Sequence, residues 1–536
     1  MISCPNCAGN IRFDILTQQL SCEYCHEQFD PYTFDSKSKD AEETTASEGD
    51  YEVTVFCCPQ CGGEILSTDN AAAGFCSFCG ASTILFSRIS HEKRPDYIIP
   101  FKKTKDDCKQ AYADLMKKAI FAPKELKDPR FIDGFRGIYM PYWAFYITQK
   151  GPLALPAKKE YRRGDYIYTD HFMLEGTIDS YYKGLSYDAS SSFADNISEA
   201  IAPYDLKGMK AFTPGYLCGF YADTSDVDAS VYQPEAESTA YSQTLSELTK
   251  LPEYRGVSIE SPSGSTEASR IYTKTESVDR ALFPVWFMSY RNKDRVAYVT
   301  INGQSGKISA DLPIDAKKYL LGSLLLAIPL FFVLMLFTLL PKTLLTISGF
   351  LALFSAILYT TELRSIAKKD SFASDRGILF HRDPGRINDV TRERCKENKP
   401  KGKKVRPVWL FMVFYLCLTF AMPALSMLSA VVVSAPFVLW LGIMIGMVIF
   451  FAIGASQMGA IEGTQSVLGY VLNSIAILAG GLITLLQPVH DIYYYGGTIF
   501  VLCAVCISFI DIIRYYNVLS TRRLPQFNKQ GGDDRA

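Results

Sequence analysis

Eight cysteines in four Cys-x2-Cys pairs constrain this chain more than any other feature. Cys4 and Cys7 are followed by Cys22 and Cys25, and Cys58 and Cys61 by Cys76 and Cys79. Fourteen residues separate the pairs in each set, and the second set repeats the first 54 positions later. A fixed period of this kind marks a duplicated unit. Each Cys-x2-Cys turn presents two thiolates to one ion. A second turn, returned by a short β-hairpin, completes a tetrahedral S4 site. Zn2+ fits such a donor set, at about 2.3 Å per Zn–S bond. Four protein ligands leave no position for water, so the two expected Zn2+ ions are structural rather than catalytic. A segment of roughly 25 residues cannot bury a core, and the metal supplies the folding energy. The competing reading, a disulfide framework, needs an oxidising compartment, and Met1-Ile2-Ser3-Cys4 carries no signal peptide. Cys57 stands outside both sets and reads as a spare thiol.

Zinc ribbons often touch nucleic acid, so charge decides. Residues 1–56 hold three Lys/Arg against eleven Asp/Glu, a net charge of −8. Phosphate binding needs clustered cations, and this segment would repel DNA. Protein recognition is the better expectation, with nucleic-acid binding kept as a second alternative. Ser36–Asp50 reads as a flexible acidic linker between the ribbons.

Residues 91–318 are expected to form an α+β domain. Thr104 and Asp107 make a capping-box start, and Cys108, Ala111, Tyr112, Leu115, Met116 and Ala119 follow at helical spacing. Segments 137–148, 166–178 and 281–290 are aromatic and β-rich. Pro141-Tyr142-Trp143 is echoed by Pro284-Val285-Trp286, which predicts related strands at equivalent places in a sheet. Val296–Ile301 followed by Asn302-Gly303 and Ser305-Gly306 predicts a hairpin. Residues 241–251 predict a helix. No Gly-x-Ser-x-Gly, His-Glu-x-x-His, P-loop or dinucleotide fingerprint occurs, and His171 stands alone. The chain is not expected to be an enzyme.

From residue 319 the character changes. Tyr319–Leu340 is 22 residues without a charge, about 33 Å as a helix and enough for a hydrocarbon core of about 30 Å. Pro341-Lys342 is a tight break, and Thr343–Thr361 returns. Val408–Gln457 runs 50 residues without a charge, which predicts two spans divided near Pro436. Val467–Leu486 and Thr498–Ile513 complete six membrane helices in three hairpins. The connection 362–407 carries fourteen Lys/Arg, whereas the outer turns carry only Lys342. Positive charge marks the cytoplasmic side, so both termini are expected there, in a multi-pass protein of the cell membrane. The basic loop is expected to meet anionic headgroups. Span centres hold no ionisable group and only Asn473 as a single amide. An anchor or platform is therefore favoured over a channel, and a transporter or channel with a zinc-ribbon regulatory head is the alternative. Cys503-x2-Cys506 reads as apolar filler.

Several motifs together resemble bacterial TFIIB-type zinc-ribbon membrane proteins over roughly residues 1–318. They are Cys4-Pro5-Asn6-Cys7, Cys22-Glu23-Tyr24-Cys25, Ile99-Pro100-Phe101, Phe121-Ala122-Pro123, the two Pro-x-Trp units and Asn302-Gly303-Gln304-Ser305-Gly306-Lys307. Members are often labelled primosomal or helicase-like. This chain has no helicase motif, so that label is not carried over. The resemblance implies membrane anchoring and coupling to phage-shock-type envelope-stress machinery, with flotillin-like, TPM-domain or PspA-type protein partners. Six spans exceed what it implies for the simplest relatives.

The expected organisation is ribbon 1 at 1–30, an acidic linker at 31–55, ribbon 2 at 56–90 and the α+β domain at 91–318. A transmembrane hairpin at 319–361, the basic loop at 362–407, four more membrane helices at 408–513 and a cytoplasmic tail at 514–536 follow. The expected function is non-enzymatic: a cytoplasm-facing protein-recruitment platform.

Overall fold

The computed structural model describes residues 4–32, 50–58, 60–61, 63–67, 76, 78–79, 86–128, 134–254, 257–259, 271–292, 295–336, 340–370, 375–397, 442, 468–520 and 522–523. Ribbon 1 is a three-stranded antiparallel sheet of β1 (Ile11–Asp14), β2 (Gln19–Cys22) and β3 (Gln28–Phe29). Asp14 shapes the β1–β2 turn by accepting from the Leu16 N–H at 2.9 Å, and Gln18 adopts φ 57°. Ile11, Phe13 and Leu20 point to one side, as strand alternation requires, and join the core of the large domain beside Phe212, Tyr216 and Leu217. The Phe13 N–H donates to the Cys218 carbonyl at 3.0 Å. Ribbon 1 is thus docked on the domain rather than free of it.

The second sheet has thirteen strands. They are β4 (Asp50–Cys57), β5 (Glu64–Ser67), β6 (Phe86–Lys93), β7 (Tyr97–Ile98), β8 (Arg136–Arg163), β9 (Tyr166–Asp188), β10 (Lys210–Ala211), β11 (Tyr221–Ala222), β12 (Val257–Ile259), β13 (Thr273–Asn292), β14 (Arg295–Asn302), β15 (Ile308–Ala310) and β16 (Arg522–Arg523). The main path runs β10-β7-β13-β8-β11-β5-β4-β6. The strands of the second cysteine unit therefore belong to the same sheet as the central domain. Most of the Ser36–Asp50 linker lies outside the described residues.

At the centre, β8 and β13 are antiparallel neighbours, with Pro141 opposite Leu282 and Pro284 opposite Tyr139. The two Pro-x-Trp units therefore sit at matching places on paired strands. β14 and β15 close the hairpin expected around Asn302-Gly303. Beyond Gln149, β8 leaves β13 and continues with β9 as a long arm to a turn at Gly164, which adopts φ 65°. Segments 137–148 and 166–178 lie inside strands much longer than their patterns indicate.

Among the described residues three helices accompany the sheet: α1 (Lys105–Lys118), α2 (Asp195–Ile201) and α3 (Gln233–Lys250). Thr104 caps α1 in a reciprocal capping box with Asp107, and Cys108, Tyr112 and Met116 are buried. α3 begins eight residues before the expected start and lies along the arm, where Leu245 packs with Leu153, Leu155 and Leu174. The domain is β-rich, with its helices laid against the large sheet.

The C-terminal region is helical. Its elements are α4 (Ala316–Leu334), α5 (Pro341–Asp370), α6 (Arg376–Arg382), α7 (Ile387–Glu397), α8 (Leu468–Leu486) and α9 (Asp491–Ser520). Among the described residues three helices, α4, α5 and α9, are long and apolar enough to cross a membrane. α8 contains a shorter apolar stretch, Val471–Leu486. Six membrane helices are therefore more than the described residues support, and the two expected in 408–457 lie outside them.

α5 and α9 run parallel. Lys342 lies over the Tyr494 ring at one end, and Tyr359 meets Tyr515 at the other. α8 packs antiparallel to both, with small residues Ala352, Ala356, Ala476 and Ala504 buried at the contact. Asn473 lies fully buried there and donates to the Ala352 carbonyl at 3.0 Å and to Ser355 Oγ at 2.8 Å.

Several contacts among the described residues tie the helical region to the domain. Asn517 near the end of α9 bonds the backbone of Ile314, and β16 pairs with β14. α6 and α7 pack against the domain near α2 and α3, and Arg376, the first residue of α6, is fully buried. Two of the fourteen basic residues of the loop, Arg376 and Arg394, are thus engaged in ion pairs with the domain rather than held out to solvent.

Candidate metal centres

The two sets of four cysteines come together as their spacing predicts. In each, all four Sγ atoms lie within 4.8 Å of one another. In the first, Cys4 and Cys25 are 3.6 Å apart and Cys7 and Cys22 3.4 Å. In the second, Cys58 and Cys79 are 3.8 Å apart and Cys61 and Cys76 3.7 Å. Disulfide sulfurs would lie about 2.05 Å apart. The edge of an S4 tetrahedron with about 2.3 Å metal–sulfur bonds is about 3.8 Å. The cysteines are free thiols at metal-ligand spacing, and the two groups can each hold a metal ion.

Local backbone explains why each turn closes. The Cys4 N–H donates to the Gly9 carbonyl at 2.9 Å, and the Cys58 N–H donates to that of Gly63 at 2.9 Å, the same bond 54 residues later. In the first unit the residue after each pair is left-handed, Ala8 at φ 55° and His26 at φ 59°. The sequence has Gly62 and Gly80 at the corresponding positions, which lie outside the described residues.

Electrostatics point the same way. The backbone N–H of Cys25 pulls the Cys22 thiol down to about 6, against the effect of burial. In the second unit, hydrogen bonds from Cys61, then Cys76 and Cys79, pull Cys58 down, while Cys58 pushes Cys61 and Cys76 up. Without a cation, four crowded sulfurs share protons around one thiolate. A dication replaces those protons and accommodates four thiolates.

The two centres differ in access. All four cysteines of the second are buried, whereas Cys7 and Cys25 of the first are exposed. The second is held from outside its own unit: Tyr298 donates to the Phe78 carbonyl at 2.5 Å, and Phe78 packs edge-on to Phe287.

The remaining candidates scatter. His171 lies on the exposed arm opposite Lys158. Cys503 and Cys506 are exposed on α9. Asp511 on α9 is buried. Glu462 is outside the described residues. Sequence reasoning missed a buried charge cluster altogether. Arg376 Nε lies 3.0 Å from Asp195 Oδ2, its Nη1 pairs with Glu235, and Arg394 approaches Asp195 at 3.5 Å. These pairs lie 141 to 199 residues apart in the chain, so no local pattern announces them.

No family model matches the chain, and no solved structure does. The chain is similar to YdjG of Bacillus subtilis (strain 168), an uncharacterized protein, at 28% identity over 320 residues, which is 59% of this chain and 90% of that protein.

Proposed function

We propose that this chain is a zinc-binding integral membrane protein that acts, without catalysis of its own, as a cytoplasm-facing platform for recruiting proteins. One observation carries the reading. The domain that bears both cysteine centres meets α6, α7 and the C-terminal end of α9, so these parts gather at one end of the helix bundle. An even number of membrane crossings between residues 316 and 520 produces such a gathering. Six spans, at 319–340, 343–361, two within 408–457, 467–486 and 498–513, satisfy it. The fourteen Lys/Arg of 362–407 assign that end to the cytoplasm, where thiolates stay reduced. Four thiolates in a closed tetrahedron select zinc from the common divalent ions.

Ribbon 1 supplies the recruiting face. Tyr24, 74% exposed, lies beside the exposed Cys7 and Cys25, and Leu16, 81% exposed, sits in the β1–β2 turn. The motif resemblance to bacterial TFIIB-type zinc-ribbon proteins adds a phage-shock-type envelope-stress role, with flotillin-like, TPM-domain or PspA-type proteins as partners. The basic residues of 362–407 outside the buried cluster are expected to meet anionic headgroups.

The test is a pull-down from solubilised membranes with the parent chain, Cys4→Ser, Cys58→Ser and Tyr24→Ala. Loss of a partner with Cys4→Ser and Tyr24→Ala is expected; an unchanged partner list would sink the reading. Solute flux in proteoliposomes that disappears with Asn473→Ala would favour a transporter instead.

A further inference from the structure

The α6–α7 pair joins the domain through an unusually specific contact. The Arg376 guanidinium lies against a stacked pair of rings, 4.5 Å from the centre of Tyr232 and 5.6 Å from that of Tyr187, the two rings being 5.7 Å apart. It pairs with Asp195 at 3.0 Å and with Glu235. The backbones interlock as well. The Arg376 N–H donates to Asp195 Oδ2 at 3.1 Å, and the Asp195 N–H donates back to Asp375 Oδ2 at 3.1 Å. Arg394 from α7 closes over the same carboxylates, pairing with Glu199 and lying 3.8 Å from Glu235. A carboxylate pair buried this deeply needs its cations, because an uncompensated buried charge costs several kcal/mol.

The groups that Arg376 grips lead directly to the arm. Tyr232 and Glu235 open α3, and Tyr187 ends β9. Tyr187 meets Thr239 of α3 at 3.0 Å, and Tyr182 meets Thr244 at 2.5 Å. Thr244 then donates to Gln149 at 2.5 Å, at the point where β8 parts from β13. On the other side, only residues 371–375 separate Arg376 from the end of α5. A contiguous set of contacts therefore runs from Arg376 through α3 to the base of the arm, and the chain at 371–375 joins Arg376 to α5.

We propose that α6 and α7 form a strap that passes the position of α5 in the bilayer to the β8–β9 arm through α3. The proposal rests on the reading of α5 as a membrane span. The strap is seated when Arg376 lies against the Tyr187–Tyr232 ring pair, and seating holds α3 against the arm. A shift of α5 pulls on Arg376 and loosens that packing.

Hydrogen exchange read by mass spectrometry on the full chain in lipid nanodiscs tests it. In the parent, exchange in 145–153, 178–188 and 233–250 is expected to differ at least ~3-fold between thin and thick phosphatidylcholine bilayers. A flexible Gly-Ser insert after Asp370 leaves Arg376 seated and should abolish that difference. Arg376→Met, and separately Glu235→Gln, should raise exchange in the same segments by ~10-fold, with metal content as in the parent. Three results would overturn the strap: no bilayer dependence in the parent, a dependence that survives the insert, or faster exchange confined to 376–397. Loss of protection throughout, metal included, in both substituted chains would also overturn it, since the contact would then be core and not a separable strap. Recovery of the parent chain outside the lipid fraction would instead sink the membrane reading, whatever the two substitutions do.

Discussion

Asn517 reads the backbone of Ile314 as one strand reads another: the Ile314 N–H donates to Asn517 Oδ1 at 2.7 Å, and Asn517 Nδ2 donates to the Ile314 carbonyl at 2.8 Å. The pair fixes the end of α9 to the residue just before the N-cap of α4. Asn517→Ala removes both bonds and strands two backbone groups. A cost of about 1–3 kcal/mol is expected, with faster amide exchange at 311–318. Asn517→Asp retains the acceptor alone and should fall between the two.

The two cysteine centres should release metal at different rates. Cys7 and Cys25 are exposed, and all four cysteines of the other centre are buried. Two ions per chain are expected by elemental analysis. A thiol reagent with a chromogenic chelator should release one quickly and the second only on the timescale of domain unfolding. Cys4→Ser should remove the fast phase and leave the slow one. A single phase of two ions would contradict this difference.

Asp188 makes stability fall with rising pH. It is 2% exposed, its Oδ1 accepts from Ser198 at 2.6 Å, and its Oδ2 has no hydrogen-bond partner among the described residues. Burial, then the charge of Asp195, pushes its carboxyl well above the ordinary value. The folded chain therefore keeps a proton that the unfolded chain releases above pH about 4. Stability drops by up to ~1.4 kcal/mol per pH unit from there to the folded pKa. Asp188→Asn is uncharged at every pH. It should flatten this slope between pH 5 and 8 and exceed the parent in melting temperature at pH 8.

Gly303 leaves no room for a side chain. A Cβ there would stand 2.6 Å from the Phe101 ring and 2.8 Å from Pro284 Cβ. Phe101 is itself fully buried against Tyr139 and Trp286. Gly303→Ala should cost about 1–3 kcal/mol by overpacking, read as a lower thermal midpoint, with metal content unchanged.

What could be read from sequence was what is local. Cysteine spacing located both four-cysteine clusters because four ligands at fixed intervals admit few geometries. Thr104 and Asp107 marked the start of α1 because a capping box involves only four consecutive residues. Asn302-Gly303 marked a hairpin for the same reason. The docking of ribbon 1 was hidden, because Leu20 finds its space beside Gly215, 195 residues away, where a Cβ would approach it at 3.2 Å. The arm was hidden because Pro152 and Pro156 and the charges of 158–163 interrupt the strand pattern. Arg376 looked like one more solvated cation in a basic loop, since nothing within ten residues of it reveals the carboxylates and rings that enclose it.

The arm has a mechanical consequence. Fourteen residues of β8 extend past Gln149, at the end of the sheet opposite the one that β16 joins. At about 3.3 Å per residue they make a lever of about 46 Å. A tilt of about 10° at its base swings the tip, with Tyr166 and Ile167 more than 70% exposed, through about 8 Å. Small angular changes where Gln149, Thr244 and Ser180 meet are thereby magnified into displacements as large as a side chain, at the place where the chain offers its bare aromatic surface.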